Sequence, residues 1–190
     1  MSKLAIASTN DRFLLNNKPF FYLADTAWSA FTNPTLEEWE FYLDYRRRQG
    51  FNALQINIMP QEDRSENSWD APMPFKKDET GKYIFKEINP EYFERAGKMI
   101  AMAADRGFVP ALVLLWGSKV PGTWSNIMFN THYMPFECIK AYVDMAVKAF
   151  SAYNPIWIIS GDTDLPDAAK PWYKAALDMV RERTPDLLCT

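Results

Sequence analysis

Twice in this chain a helix-patterned segment runs through a single glycine straight into an apolar strand: RRRQG into FNALQINIM at 46–59, and AADRG into FVPALVLLW at 103–116. The glycine closes the helix and the next strand begins at once, so each join before a strand is very short. The segments after those strands are of another kind. About 30 residues, at 60–89, precede the next helical pattern and about 18, at 117–134, follow Trp116, both well beyond the usual connection. Strands alternating with helices in this way specify parallel strands joined by right-handed crossovers, with every long loop at the C-terminal end of a strand.

The same alternation runs along the rest of the sequence. NPTLEEWEFYLDYRRRQG carries Thr35 and Glu38 at capping-box spacing and stops at Gly50, and PEYFERAGKMIAMAADRG has Pro90 in its first turn and Gly107 at its end. PFECIKAYVDMAVKAFSAY is a third helix, IWIISGD a fourth strand, and DAAKPWYKAALDMVRERT a fourth helix in which Pro171 implies a late start or a kink. Leu187-Leu188-Cys189-Thr190 has the pattern of a fifth strand just begun. Ahead of all this, RFLLNNKPFFYLAD predicts a β-hairpin turning at Asn16-Asn17, residues that tolerate positive φ, with its second strand continuing to Asp25. The whole of 1–190 fits one α/β domain. A doubly wound open sheet and an eight-stranded barrel both use this order, and both bind ligands at the C-terminal ends of their strands.

Composition excludes several function classes. Net charge is −3 with acids and bases mixed, and the one basic cluster, Arg46-Arg47-Arg48, lies within a helical pattern, so no nucleic-acid or membrane partner is expected. Two cysteines, Cys138 and Cys189, and a single histidine, His132, make an N/S metal site improbable. Glu62, Asp63, Glu66 and Asp70 crowd one loop at no metal-loop spacing, and no glycine-rich phosphate cradle occurs, so neither metal nor cofactor is expected. The N-terminus lacks a signal-peptide apolar region, which points to the cytoplasm unless a leader was removed.

Each strand runs out into polar or aromatic residues: Asp25 and Trp28, then Gln55 and Asn57, then Trp116, then Asp162 and Asp164. In a parallel sheet these converge on one side. Carboxylates, amides and indoles are what a site needs to stack a sugar and protonate its glycosidic oxygen. Plainer readings stand beside this one. Asp25 also suits a turn cap, Asp162 and Asp164 suit Asx turns, and Trp28, Trp69, Trp116 and Trp124 each suit packing.

NNKPFFYLADTAW followed by TLEEWEFYLDYRRRQGFNALQINIM resembles the opening of the apiosidase-like, DUF4038-type glycoside hydrolase catalytic domain, which begins with a similar NGKPFFWLGDTAW hairpin and a QGFN step. WIISGDTD is similar to that family's fourth-strand GGD end, with Ser160 where the family has glycine. The resemblance implies a (β/α)8 TIM-type barrel of which this chain holds the first four βα units, a half barrel. It implies a carbohydrate substrate in complex glycans, those of plants among them, and a two-carboxylate mechanism. Asp162 maps to the general acid/base, with Asp164 the nearby alternative, while Asp25 and Trp28 map to the lining of the sugar pocket. The nucleophile belongs at the end of strand seven, outside this sequence, so the chain by itself is expected to be a poor glycosidase. A half barrel also has two open sheet edges, which invite self-association. Two other readings use the same residues: a non-catalytic carbohydrate-binding or pseudoenzyme domain, and a doubly wound domain whose Asp25, Asp162 and Asp164 bind Mg²⁺ or accept phosphate.

Overall fold

The computed structural model describes residues 4–61 and 70–190. Glu62, Asp63, Glu66 and Trp69 lie outside the described residues. The chain opens with three short antiparallel strands, β1 (Leu4–Ile6), β2 (Phe13–Leu15) and β3 (Lys18–Phe20). Asn16 and Asn17 join β2 to β3 with φ of 52° and 63°, the left-handed geometry that a two-residue hairpin turn demands and asparagine tolerates.

The main body alternates strand and helix. β4 (Ala24–Ala27) leads to α1 (Leu36–Arg48), and β5 (Ala53–Asn57) leads, through the antiparallel pair β6 (Phe75–Lys77) and β7 (Tyr83–Ile88), to α2 (Pro90–Asp105). β8 (Val109–Trp116) leads through the short α3 (Trp124–Phe129) to α4 (Ile139–Phe150), and β9 (Ile156–Gly161) leads to α5 (Lys170–Arg183). The caps at Thr35 and Asn89 form as their residue types require, and the capping box of Thr35 with Glu38 is closed in both directions. Pro171 sits in the first turn of α5, where its missing N–H costs nothing, so the helix starts late and is not broken.

β4, β5, β8 and β9 form one sheet in that order, every pair parallel. Spatial order therefore equals chain order. A doubly wound sheet needs a reversal of strand order, and among the described residues this sheet has none. At its far edge Leu188 and Thr190 exchange backbone hydrogen bonds with Trp157 and Ile159, each at 2.9 Å, in the parallel sense, which is the beginning of a further strand.

Side chains alternate between the two faces of this sheet. Leu54, Ile56, Leu112, Leu114, Trp157 and Ile159 pack against the helices in the main core, while Ala53, Ala111 and Ile156 pack with Leu4 and the N-terminal strands. The helices thus cover one face and the N-terminal sheet meets part of the other. Buried polar groups tie the layers together: the Tyr142 hydroxyl donates to Leu114 O of β8 at 2.7 Å, Tyr92 donates to Ile58 O just past β5, and Trp39 Nε1 joins α1 to α2 by donating to Met99 O at 2.9 Å.

The two long loops are structured more than their composition suggests. Within 60–89 the β6–β7 turn is held by Asp78 Oδ1, which accepts from Thr80 N at 2.8 Å and Lys82 N at 3.0 Å, with Gly81 at φ 81°. Within 117–134, α3 is capped by Thr123, and Thr131 Oγ1 donates to Ser118 O at 2.5 Å.

Candidate active site

A cleft of about 710 Å³ opens beyond the C-terminal ends of the strands. Its lining comes from four connections that are distant in sequence: Trp28 after β4, Gln61, Lys77 and Tyr83 after β5, Trp116, Lys119 and Trp124 after β8, and Asp162 after β9. Parallel strands produce this convergence, since all their C-terminal ends point the same way.

Asp162 is the lining residue contributed by the end of β9. It is the first residue past β9 and holds φ at 50°, a left-handed conformation that aspartate tolerates better than most residues but that still costs energy outside glycine. Its backbone carbonyl accepts a hydrogen bond from Trp124 Nε1 at 2.9 Å, so α3 fixes the turn that carries the carboxylate. Asp162 is exposed to solvent along the cleft. Among the described residues it is the one carboxylate in the lining.

Trp116 and Trp28 form a tilted pair, ring centroids 5.5 Å apart with 48° between planes. Trp116 reaches this place because its register partner is Gly161, and a Cβ there would lie 2.3 Å from the Trp116 ring. Gly117 is constrained in the same way, since its Cβ would come within 2.6 Å of Ser125 Oγ and 3.0 Å of Asp162 O. The Ser-Gly and Trp-Gly steps are therefore conditions for close packing around Asp162.

Three residues named from the sequence lie outside the cleft lining. Asp25 is held against α1: its carboxylate accepts from the Tyr42 hydroxyl at 2.7 Å and pairs with Arg46 Nε at 2.5 Å. Its register partner is Leu54, a helix-facing residue, so the alternation of the strand turns Asp25 toward the helix layer and away from the expected sugar pocket. Burial and the neighbouring Asp25 carboxylate both raise the Tyr42 pKa. Asn57, at the end of β5, is only 2% exposed, and among the described residues its Nδ2 has no hydrogen-bond partner. It shares the parity of Ala53 and Gln55 and so faces away from the helices. Asp164 is exposed, and its charge adds to burial in pushing the Tyr173 hydroxyl up to about 12.

Residues that the sequence reading assigned no role in the site, His132 and Trp124, and two it did not single out, Lys119 and Phe129, complete the cleft. Lys119 is 1% exposed, its Nζ lies 5.2 Å from the Tyr83 ring centroid, and burial pushes its pKa down to about 7. His132 sits in the lining with its ring 5.3 Å from that of Phe85. Trp124 and Phe129 form a further aromatic pair with centroids 6.2 Å apart.

A parallel sheet in chain order with a cleft at its strand ends defines an α/β protein, and solved structures share this fold. One described as a glycoside hydrolase superposes with a TM-score of 0.73 at 24% identity, covering 98% of this chain and 40% of its own. A family 5 glycoside hydrolase from Bacteroides vulgatus gives 0.73 at 22% identity, covering 98% and 39%. A family 5 mannosidase mutant from Rhizomucor miehei, in complex with mannosyl-fructose, gives 0.60 at 14%, covering 99% and 55%. The chain thus spans about two fifths of the length of the first two. No curated protein matches it. A family model described as apiosidase-like, catalytic domain, matches residues 8–190, and the chain belongs to that family.

Proposed function

We propose that this chain is the acid/base-bearing part of a glycoside hydrolase that cleaves O-glycosidic bonds in complex glycans, plant glycans included. The observation that carries the reading is the placement of Asp162: end of the fourth parallel strand, in a cleft also lined by two aromatic pairs, on a turn whose carbonyl accepts from Trp124 Nε1. In this reading Asp162 protonates the leaving oxygen as the glycosidic bond breaks and later takes a proton from the attacking water. Trp28 and Trp116 stack the sugar whose anomeric carbon reacts. The Nδ2 of Asn57, which has no partner among the described residues, donates toward the site from the face of the sheet away from the helices, and Asp164 supports the turn. Asp25 acts through α1, whose position it fixes, with no sugar contact.

The nucleophile comes from outside the described residues, about 5–5.5 Å from Asp162 if the reaction retains configuration. The family, the chain-order sheet and the strand begun at Leu188 support a barrel of which these are the first four βα units. The open edge at β4, and the strand begun at Leu188 beyond β9, support self-association when nothing else covers them.

The test is Asp162→Asn in the protein that carries both carboxylates. Turnover on substrates with poor leaving groups should fall roughly 10²–10⁴-fold, and on activated aryl glycosides far less. Equal loss on both would remove the acid role. The solvent exposure of Asp162 and its standing as the one carboxylate in the described lining favour a second reading, a carbohydrate-binding domain without catalysis. Oligosaccharide binding with no product on prolonged incubation of that same protein would select it.

A further inference from the structure

We infer that Trp124 is a positioning residue for the acid/base: its indole N–H, bonded to the backbone carbonyl of Asp162, holds that residue in the left-handed turn that keeps its side chain in the cleft. The inference rests on the acid/base reading of Asp162.

The chain from Asp162 to Pro166 belongs to no strand or helix, and it holds two non-glycine residues at positive φ, Asp162 and Leu165, both at 50°. Within it, Leu165 N donates to Thr163 Oγ1 at 3.2 Å. A left-handed aspartate is disfavoured, and one left to itself would settle in the extended or right-handed region. With β9 fixed, that change turns the Cα–Cβ bond of Asp162 around N–Cα by about 100° or more, and the carboxylate leaves its present place. A general acid works only within hydrogen-bond reach of the oxygen it protonates, so the conformation of this one residue decides whether Asp162 can act.

The support comes from the neighbouring connection. Trp124 Nε1 donates to Asp162 O at 2.9 Å, across 38 positions of the chain. The donor is itself mounted on the end of β8: Thr123 Oγ1 donates to Gly117 O at 2.7 Å and accepts from Asn126 N at 3.2 Å, which ties down the first turn of α3. The same strand end meets the acceptor directly. A Cβ on Gly117 would lie 3.0 Å from Asp162 O and 2.6 Å from Ser125 Oγ, so the carbonyl fits because position 117 has no side chain. One carbonyl is thus located twice, by a donor and by a close approach. The cost of a left-handed aspartate and the net worth of one hydrogen bond are of the same order, so a single bond is enough to set which turn is populated.

The experiment uses the protein that carries both carboxylates. Trp124→Phe keeps an aromatic ring and removes the N–H, and benzothienylalanine at the same position, with sulfur in place of the indole nitrogen, removes it at nearly constant shape. Both should lower kcat on substrates with poor leaving groups about 3–10-fold, leave KM within about twofold, and spare the turnover of activated aryl glycosides. Gly117→Ala, which presses on the same carbonyl with the indole intact, should give the same pattern. Ile127→Ala, a change at a 70% exposed side chain of the same helix, should alter neither constant. Equal loss on both substrate classes, a rise in KM at constant kcat, or no change in either Trp124 replacement overturns the positioning role. If Asp162→Asn still shows its leaving-group dependence in that event, the acid role stands without Trp124. If Asp162→Asn loses equally on both classes, the acid reading falls and this inference falls with it.

Discussion

Trp116 packs directly onto Gly161, so closely that a Cβ on Gly161 would sit 2.3 Å from one ring carbon of Trp116 and 2.9 Å from Val113 Cγ1. The backbone at Gly161 is in a region any residue adopts, so this glycine is required by contact and by nothing else. Gly161→Ala should therefore force the indole out of place. The expected cost is about 1–3 kcal/mol, a fall of several degrees in Tm, together with loss of the Trp28–Trp116 pair seen as a change in near-ultraviolet circular dichroism. An unchanged spectrum and Tm would show that Trp116 has another place to go.

Asp25 should behave as a structural carboxylate. Replacing it by asparagine weakens its bonds to Tyr42 and Arg46, at about 1–2 kcal/mol in urea denaturation, while oligosaccharide affinity stays within about twofold. A large loss of sugar affinity at unchanged stability would return Asp25 to the binding site.

Asn57 predicts a trade between stability and binding. Its Nδ2 is buried without a partner among the described residues, a state that costs about 1–3 kcal/mol, so Asn57→Leu should raise the urea midpoint. The same change should lower oligosaccharide affinity about 3–10-fold by removing a donor. A more stable chain that binds as before would assign Asn57 no part in recognition.

Lys119 sets a pH dependence with a definite sign. Its pKa of about 7 in the folded chain is below the ordinary lysine value of 10.5, so from pH 7 upward the unfolded chain binds the extra proton and the folded chain does not. Stability then rises with pH across that window, by up to about 1.4 kcal/mol per pH unit, and the full cost of burying the ammonium is present below pH 7. Denaturation at pH 7, 8 and 9 should show the rise, and Lys119→Met should flatten it.

Self-association is readable by sedimentation velocity. Phe21 and Phe41 are 79% and 67% exposed near the β4 edge and on α1, and association through that side should depend on concentration and disappear in Phe21→Glu with Phe41→Glu. A monomer at all concentrations would show that the open edges are tolerated.

The parallel frame was legible because it depends on local signals: Gly50 and Gly107 closing helices at the doorstep of strands, Thr35 and Pro90 opening them. Asp162 was legible for the same reason, being tied to the end of a strand with clear boundaries. Asp25 was harder. A strand shows period two in its sequence, but which parity faces the helices depends on pairing with Leu54, and a one-residue difference reverses the face. The β6–β7 pair was hidden in a polar, proline-containing stretch because its strands are short and its turn depends on the bonds of Asp78. Lys119 gave no signal at all, since a lysine beyond a strand end is ordinarily solvated, whereas here it is 1% exposed with its Nζ near the Tyr83 ring.

The sheet's order has a consequence for how the molecule comes into being. Each strand pairs with the strand before it in the main sheet, and Leu188 and Thr190 are already laid against β9. Nothing in that sequence of pairings waits for a later segment to be inserted between earlier ones. On the ribosome, where the chain emerges from its N-terminus, each βα unit can settle onto a finished neighbour as it appears, and the cleft acquires its walls in the same order: Trp28 first, then Trp116, then Trp124, with Asp162 last. The carboxylate proposed to do the chemistry is thus delivered into surroundings that are already built.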